Sequence, residues 1–451
     1  MKIACLSLAP LFPEYVLGGS QNILNKIVLG LRQNGMRVRL LCPISDLKKS
    51  YIGDVEIENI LNLKGSFPSP FEVPLYEIQD LSKTINDISS WADRLYLHGD
   101  GWTMREEFKE KKIISGIHDL VYQEAITSVF SLDSNKIIVP SKYLLETIKA
   151  SISKERFEKK NISVIKNSIS NTAFTIKGLN KSKSKNLILL FPHRPDPRKG
   201  FIQALEIALR FAKNKRWDKV ILKAPKFEDT LNKDGKNSEY LNSETYKKFK
   251  YLGGELILHN WIPSDEMNNY YQTGDLTLCP GNFIESFGLV PLESLANHTP
   301  SVCSSVGAFR EFSNFPGIRL APYNDIDIFV EKGLELLDKN DEVTNGRNKV
   351  IKDFSLDNMI KEYLDNIKYP NRKNKYKNNF KFFSNIENII YYLAPWCTLE
   401  NNKIYHDYKG WMNEFEDNFI IEKNEKIIMS NNLYKKAIKE KILISSLSIN
   451  Q

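Results

Sequence analysis

Five polar side chains fall at positions from which they could grip a phosphorylated, hydroxyl-rich ligand. Glu285 and Glu293 have seven residues between them in DLTLCPGNFIESFGLVPLESLANHTPSVCSSVGAFRE, residues 275–311. Arg194 and Lys199 belong to HRPDPRKG, and His118 to ISGIHDL. An arginine and a lysine flanking one loop make a charge-assisted, partly bidentate cradle for a diphosphate. A carboxylate just outside an anion site can accept hydrogen bonds from neighbouring hydroxyls, and sugar phosphates offer that combination.

These side chains need rigid elements behind them. The apolar run from Asp275 to Leu278, broken by Pro280 and Gly281, predicts a buried strand entering a loop that carries Glu285, Ser286, Phe287 and Gly288. A helix is expected over Leu289–Ala296 and a strand over Ser301–Ser304. A helix start presents unpaired N–H groups and a partial positive charge, which suits an anion. Leu187–Phe191 reads as the strand before Arg194 and Lys199-Gly200, and Ile202, Leu205, Ile207 and Leu209 as the helix after them.

The first half repeats the scheme. Lys2–Leu8 reads as a strand, Gly18-Gly19 as a loop, Ser20 as an N-cap for a helix bearing Ile23, Ile27 and Leu31, and Val38–Cys42 as the next strand. Further strands are expected at Arg94–Leu97, Ile113–Ile117, Ile137–Val139, Ile162–Ile165, Val220–Lys223 and Leu256–Leu258. Strands alternating with helices predict parallel sheets covered on both faces. His98 and His118 each follow a strand, where open α/β sheets bind ligands. His98 is taken as structural. The opening glycines do not form the GxGxxG of a dinucleotide site, which weighs against a dehydrogenase.

Glu285 and Glu293 with Phe287-Gly288 between them, then Pro300-Ser301-Val302, Gly307 and Glu311, resemble the signature of the large retaining GT-B family of nucleotide-sugar glycosyltransferases. One departure is that His298-Thr299 stands where that family usually has a glycine before the proline. The resemblance covers roughly residues 1–368. It implies two Rossmann-like domains facing across a cleft, an acceptor-side domain at 1–174 and a donor domain at 175–368. It also implies metal-independent transfer from a nucleotide-sugar, a UDP- or GDP-sugar above all, to an acceptor hydroxyl. Arg194 and Lys199, with the Ser286–Gly288 amides, then neutralise the departing diphosphate. Glu293 holds the ribose and Glu285 the sugar hydroxyls, and His118 helps to position the sugar. Gly18-Gly19 resembles the family's glycine loop near the donor phosphates, although a plain turn explains it equally. Trp261 follows the strand where the family receives the base, but core packing is the simpler expectation. A UDP-sugar epimerase and a non-catalytic sugar-nucleotide binding protein share the same fold and cradle.

The chain of 451 residues suits two domains plus an extension. Its 42% hydrophobic content is enough for two cores, and no apolar run approaches the ~20 residues of a membrane span. The five cysteines are scattered without a CxxC pair, which fits reduced thiols in a cytoplasmic protein and gives no zinc pattern. The net charge of +8 requires no nucleic acid. Asp325-Ile326-Asp327 spells a metal-binding Asp-x-Asp, but at the start of an apolar-periodic stretch it is expected to cap a helix. Residues 167–185 are rich in Ser, Asn and Lys and read as a linker. Beyond Lys368, residues 369–451 are expected to form a helical extension of unknown role. Phe382, Phe383, Ile386, Ile389, Ile390 and Leu393 form a stripe at helical spacing. Beside it, Arg372, Lys373, Lys375, Lys377 and Lys381 leave open peripheral contact with an anionic membrane face.

Overall fold

The computed structural model describes residues 1–7, 11, 18–43, 49–63, 75–99, 112–119, 135–169, 185–194, 196–226, 241, 243–372 and 380–445. The expected linker at 170–184 and Lys373, Lys375 and Lys377 lie outside them. The chain divides into two compact units: residues 1–167 with 357–451, and residues 168–356.

The first unit holds an eight-stranded sheet. Its strands are β1 (Lys2–Ser7), β2 (Arg37–Pro43), β3 (Tyr51–Ile52), β4 (Val55–Leu61), β5 (Arg94–His98), β6 (Lys112–Gly116), β7 (Lys136–Val139) and β8 (Ile162–Val164). Their order is β3-β4-β2-β1-β5-β6-β7-β8, and β3 alone pairs antiparallel. Helix α1 (Gly19–Gln33) follows β1 and buries Ile23, Leu24, Ile27, Val28 and Leu31. Helix α2 (Ile78–Trp91) covers Ala4, Leu6, Leu95 and Leu97 with Leu81, Ile85 and Ile88. Ser141 caps α3 (Lys142–Ser151), its hydroxyl accepting from the Leu144 amide at 3.0 Å. Helix α4 (Lys154–Lys159) then leads to β8.

The second unit carries six parallel strands: β9 (Asn186–Leu190), β10 (Lys219–Pro225), β11 (Glu255–His259), β12 (Leu276–Cys279), β13 (Ser301–Ser304) and β14 (Ile318–Ala321). Their order, β11-β10-β9-β12-β13-β14, is the doubly wound arrangement. Side chains alternate between faces, as strand geometry requires. Leu187, Leu189, Leu276, Leu278 and Val302 meet α5 (Phe201–Lys213), α6 (Glu244–Tyr251) and α9 (Ile326–Leu337) on one side. Leu190 meets α7 (Met267–Gln272), while Cys279 and Cys303 meet α8 (Leu289–Ala296) and α10 (Asn340–Asp353). The predicted α8 and β13 match to the residue.

Helix α11 (Leu356–Lys368) belongs with the first unit from residue 357 onward. It lies so close to α1 that a Cβ on Gly30 would come within 2.4 Å of Ile360. The remaining segment corrects the sequence reading. The region after Lys368 is not a helical extension but a set of antiparallel hairpins grouped with the first unit. Among the described residues they are β15 (Phe383–Ile386), β16 (Ile389–Leu393), β17 (Cys397–Glu400), β18 (Lys403–His406), β19 (Gly410–Trp411), β20 (Phe419–Ile421), β21 (Ile427–Met429) and β22 (Leu443–Ser445), with one α-helix, α12 (Asn431–Lys439). The six-residue stripe is therefore two strands joined by a turn. Leu393 joins a core with Ile404, Phe415, Ile427 and Leu443, against which Phe382 and Ile386 pack. Tyr143 on α3 donates to Asp407 at 2.8 Å, and buried Lys136 donates to the Arg372 carbonyl at 2.7 Å.

Candidate active site

In a doubly wound sheet the strand order reverses between the first and fourth strands, and loops leaving their carboxyl ends part to leave a crevice. In the second unit those strands are β9 and β12. The loop after β9 runs through His193 and Arg194 to a single 3-10 turn, Pro197–Lys199, capped by Asp196. The loop after β12 runs from Pro280 to Gly288. The two loops touch backbone to backbone, the Phe283 amide donating to the Arg198 carbonyl at 2.9 Å. Only glycine fits there, since a Cβ on Gly281 would stand 2.0 Å from the Arg198 oxygen. Gly200 facing it has φ +86, and its Cβ would meet the Gly281 nitrogen at 2.7 Å.

This contact brings Arg194, Lys199 and Glu285 together. The Lys199 ammonium donates to Glu285 Oε1 at 2.5 Å, with side chains only 12% and 18% exposed. Beneath them lies the buried ring of Phe283, with Lys199 at 3.7 Å from its centroid, Arg198 at 4.8 Å and Arg194 at 5.4 Å. A ring face attracts cations, so Phe283 gathers positive charge in one place. Burial works to raise the Asp196 carboxyl, but hydrogen bonds from the Arg198 side chain and amide, with the Arg194 charge, hold it below its ordinary value. The Glu285 main chain is fixed in turn: its carbonyl accepts from Ala308 at 2.8 Å. Gly307, at φ +58, leaves no room there for a Cβ.

Gly288 adopts φ +86 and caps α8 from the left-handed region. Glu293 sits on α8, and its Oε2 accepts from the Tyr271 hydroxyl at 3.1 Å. Burial first and then the Glu293 charge push the Tyr271 phenol well up, so it remains a donor. Ser286 is half-buried in the loop. The Phe287 side chain points into the apolar core with Leu292, Leu295 and Phe309, so only its main chain is available to a ligand. His193 is buried beside this loop pair, its Nε2 at 3.1 Å from the Leu278 carbonyl. Phe283, Arg198, Asp196, His193 and Tyr271 were not singled out from the sequence. A phenylalanine between a strand and a loop glutamate carries no polar signal, although it stands two residues before Glu285.

The first unit has its own reversal between β1 and β5. Gly18 is the residue before α1 and Gly19 opens that helix, so Ser20 is not the N-cap. Its hydroxyl lies instead 2.9 Å from His98 Nε2, which also stands 3.0 Å from the Ser20 carbonyl. His98 Nδ1 is 3.1 Å from the Tyr96 hydroxyl, and that hydroxyl is 3.4 Å from His118 Nε2. The imidazoles of His98 and His118 face one another with centroids 4.3 Å apart. Burial lowers His98 well below its ordinary value and His118 to about 4. Both rings are 4% exposed. Among the described residues, His118 Nδ1 is a buried atom with no hydrogen-bond partner.

Two further expectations meet different outcomes. Trp261 is 39% exposed, which corrects its assignment to the core. The Asp325 carboxylate caps α9, accepting from the Ile328 amide at 3.1 Å, and Asp327 lies 3.5 Å from Arg210.

Residues 173–353 match the family model described as glycosyl transferases group 1. Over 322 residues the chain is 22% identical to a lipopolysaccharide 1,2-N-acetylglucosaminetransferase of Salmonella typhimurium, covering 67% of this chain and 78% of that one. The fold is similar to that of the lipopolysaccharide outer core galactosyltransferase WaaB (TM-score 0.56, 15% identity, 82% of this chain and 99% of that one). It is similar too to Anabaena HepE in complex with UDP-glucose (TM-score 0.57, 13% identity, 82% and 99%). Residues 173–353, which carry the Arg194, Lys199, Glu285 and Glu293 loops, thus match a glycosyltransferase family, and the two doubly wound sheets form the GT-B fold.

Proposed function

We propose that the protein transfers a sugar from a nucleotide-sugar, a UDP- or GDP-sugar, to a hydroxyl of a glycan acceptor, with retention at the anomeric carbon and no bound metal. The carrying observation is the Lys199–Glu285 pair at 2.5 Å at the strand-order reversal, with Arg194 on the same aromatic ring. As the bond from the anomeric carbon to the diphosphate breaks, negative charge grows on the leaving oxygens. Lys199 and Arg194 are set to stabilise it in a partly desolvated place, where a fixed charge acts more strongly than in water. The amides of Ser286–Gly288 at the start of α8 add partial positive charge. Glu285 accepts from sugar hydroxyls once Lys199 turns to phosphate, and Glu293 accepts from the ribose. His118 keeps the sugar-positioning role that the resemblance implies. The acceptor oxygen bonds to the anomeric carbon on the face from which the diphosphate departs and passes its proton to the departing phosphate oxygen, without a protein nucleophile. The glycan acceptor is supported by the lipopolysaccharide enzyme among the relatives. Action in the cytoplasm, peripheral to a membrane, fits such an acceptor, and no described helix is long and apolar enough to cross one.

A thermal-shift panel of UDP-, GDP-, TDP- and ADP-sugars tests the donor. A ligand at 100 times its dissociation constant adds ~2.7 kcal/mol and should raise the melting temperature by several degrees. Transfer should then persist in EDTA. No shift with any member, or strict manganese dependence, refutes this reading.

A further inference from the structure

We infer that Phe283 is a positioning residue of the diphosphate site, its ring face holding Lys199, Arg198 and Arg194 together before any ligand arrives. The inference rests on the donor reading above. All three cations lie within 5.4 Å of one ring centroid, Lys199 at 3.7 Å, Arg198 at 4.8 Å and Arg194 at 5.4 Å. Like charges gathered so closely repel one another, which favours swinging a long side chain out into water. Two carboxylates offset part of that repulsion. Arg198 donates to Asp196 at 3.0 and 2.8 Å, Arg194 stands 3.8 Å from the same carboxylate, and Lys199 donates to Glu285. On the donor reading Glu285 turns to sugar hydroxyls, so its hold on Lys199 ends when the donor binds. The hold of the ring does not end there. A ring face attracts a cation over ~6 Å, whereas a hydrogen-bonded pair is lost by about 3.6 Å. Lys199 can therefore leave the carboxylate for a phosphate oxygen and remain over Phe283.

The ring is itself fixed through the main chain. Phe283 comes from the loop after β12 and the three cations from the loop after β9, joined where the Phe283 amide donates to the Arg198 carbonyl at 2.9 Å. The Ser304 hydroxyl donates to the Gly281 carbonyl, which ties the Phe283 loop to β13. Phe283 is 6% exposed and the Lys199 side chain 12%, so water screens their attraction little. A diphosphate then meets cations already in place, and its binding does not have to assemble them.

Fluorine tests this in the full chain, because it draws electron density from a ring face with little change in size. Phenylalanines carrying one, two and three ring fluorines are placed at position 283 by nonsense suppression, and UDP and GDP are titrated by calorimetry. Affinity for the diphosphate that the wild type binds should fall step by step with the number of fluorines. The fall should reach about tenfold at the third, the worth of a partly desolvated cation over a ring. Phe283→Leu, which keeps bulk and removes the π face, should bind as weakly as the third member. If that variant does not fold, the fluorinated series decides alone. Equal affinity throughout the series would show a ring that only fills space, and it overturns the inference while the donor reading stands. If neither diphosphate binds the wild type, the donor reading fails and takes the inference with it.

Discussion

At the scale of single residues, the Lys199–Glu285 pair ties stability to turnover. Lys199→Ala should lower transfer about a hundredfold, the scale seen when a preorganised charge stabiliser is lost, and Arg194→Ala should do the same. Lys199→Ala also strands a carboxylate that is 18% exposed, so it should melt lower than the wild type. Adding Glu285→Gln should restore the melting temperature without restoring the rate, and recovery of both would show a purely structural pair. Alone, Glu285→Gln should act on turnover. Glu293→Gln should act on donor affinity, since an amide accepts more weakly than a carboxylate. His118 makes a pH prediction. Its folded value of about 4 lies below the ordinary 6.5, so above pH 6.5 its contribution is complete. It is lost as pH falls from 6.5 towards 4, because only the unfolded chain takes up the proton. The loss amounts to roughly 3 kcal/mol, and His118→Gln should reduce the fall in melting temperature over that range, the remainder coming from the equally buried His98, whose value is also lowered. The charged residues of the second unit were legible because two loops leave neighbouring strands. Phe283 was not, because its role depends on which cations surround it in space.

At the scale of elements, the two loops of the second unit are held by glycines rather than by side chains. Gly281→Ala must push the Arg198 carbonyl aside, at a cost of at least about 1–3 kcal/mol, and should displace Lys199 from Glu285. Melting temperature and transfer should fall together, and an unchanged protein would refute the contact. Helix α8 and strand β13 were readable to the residue because Gly288 and Pro300 bound short apolar runs. The hairpins were misread for a physical reason. Phe382 to Leu393 matches the helical period, but the spacing spans Glu387-Asn388, both at positive φ (49 and 66). Two such residues make the turn that joins β15 and β16. Asn401 and Asn402, at φ 48 and 58, do the same between β17 and β18. The asparagines were the available signal, and apolar counting outweighed them.

At the scale of the molecule, the first unit is assembled from both ends of the sequence, with the second unit as one uninterrupted insertion. Period alone cannot say where an apolar face packs, so the grouping of α11 and of the hairpins with the first unit is not legible in the residues themselves. A chain ending at Lys368 loses Asp407 for Tyr143 and the Arg372 carbonyl for Lys136, which is 1% exposed. It should melt lower or precipitate, while residues 168–356 expressed alone should fold with the Lys199–Glu285 pair intact. Equal stability of the truncated chain would show that the hairpins are an independent appendage. The discontinuity also sets a timetable. A ribosome adding 5–20 residues per second spends roughly 10–40 s on residues 168–356 before residue 357 emerges. Throughout that interval the nascent first unit has its notch at Gly30 open, because Ile360 has not yet been made. The insertion can finish folding on the ribosome, but the unit that was begun first is completed last, when Ile360 arrives to close it.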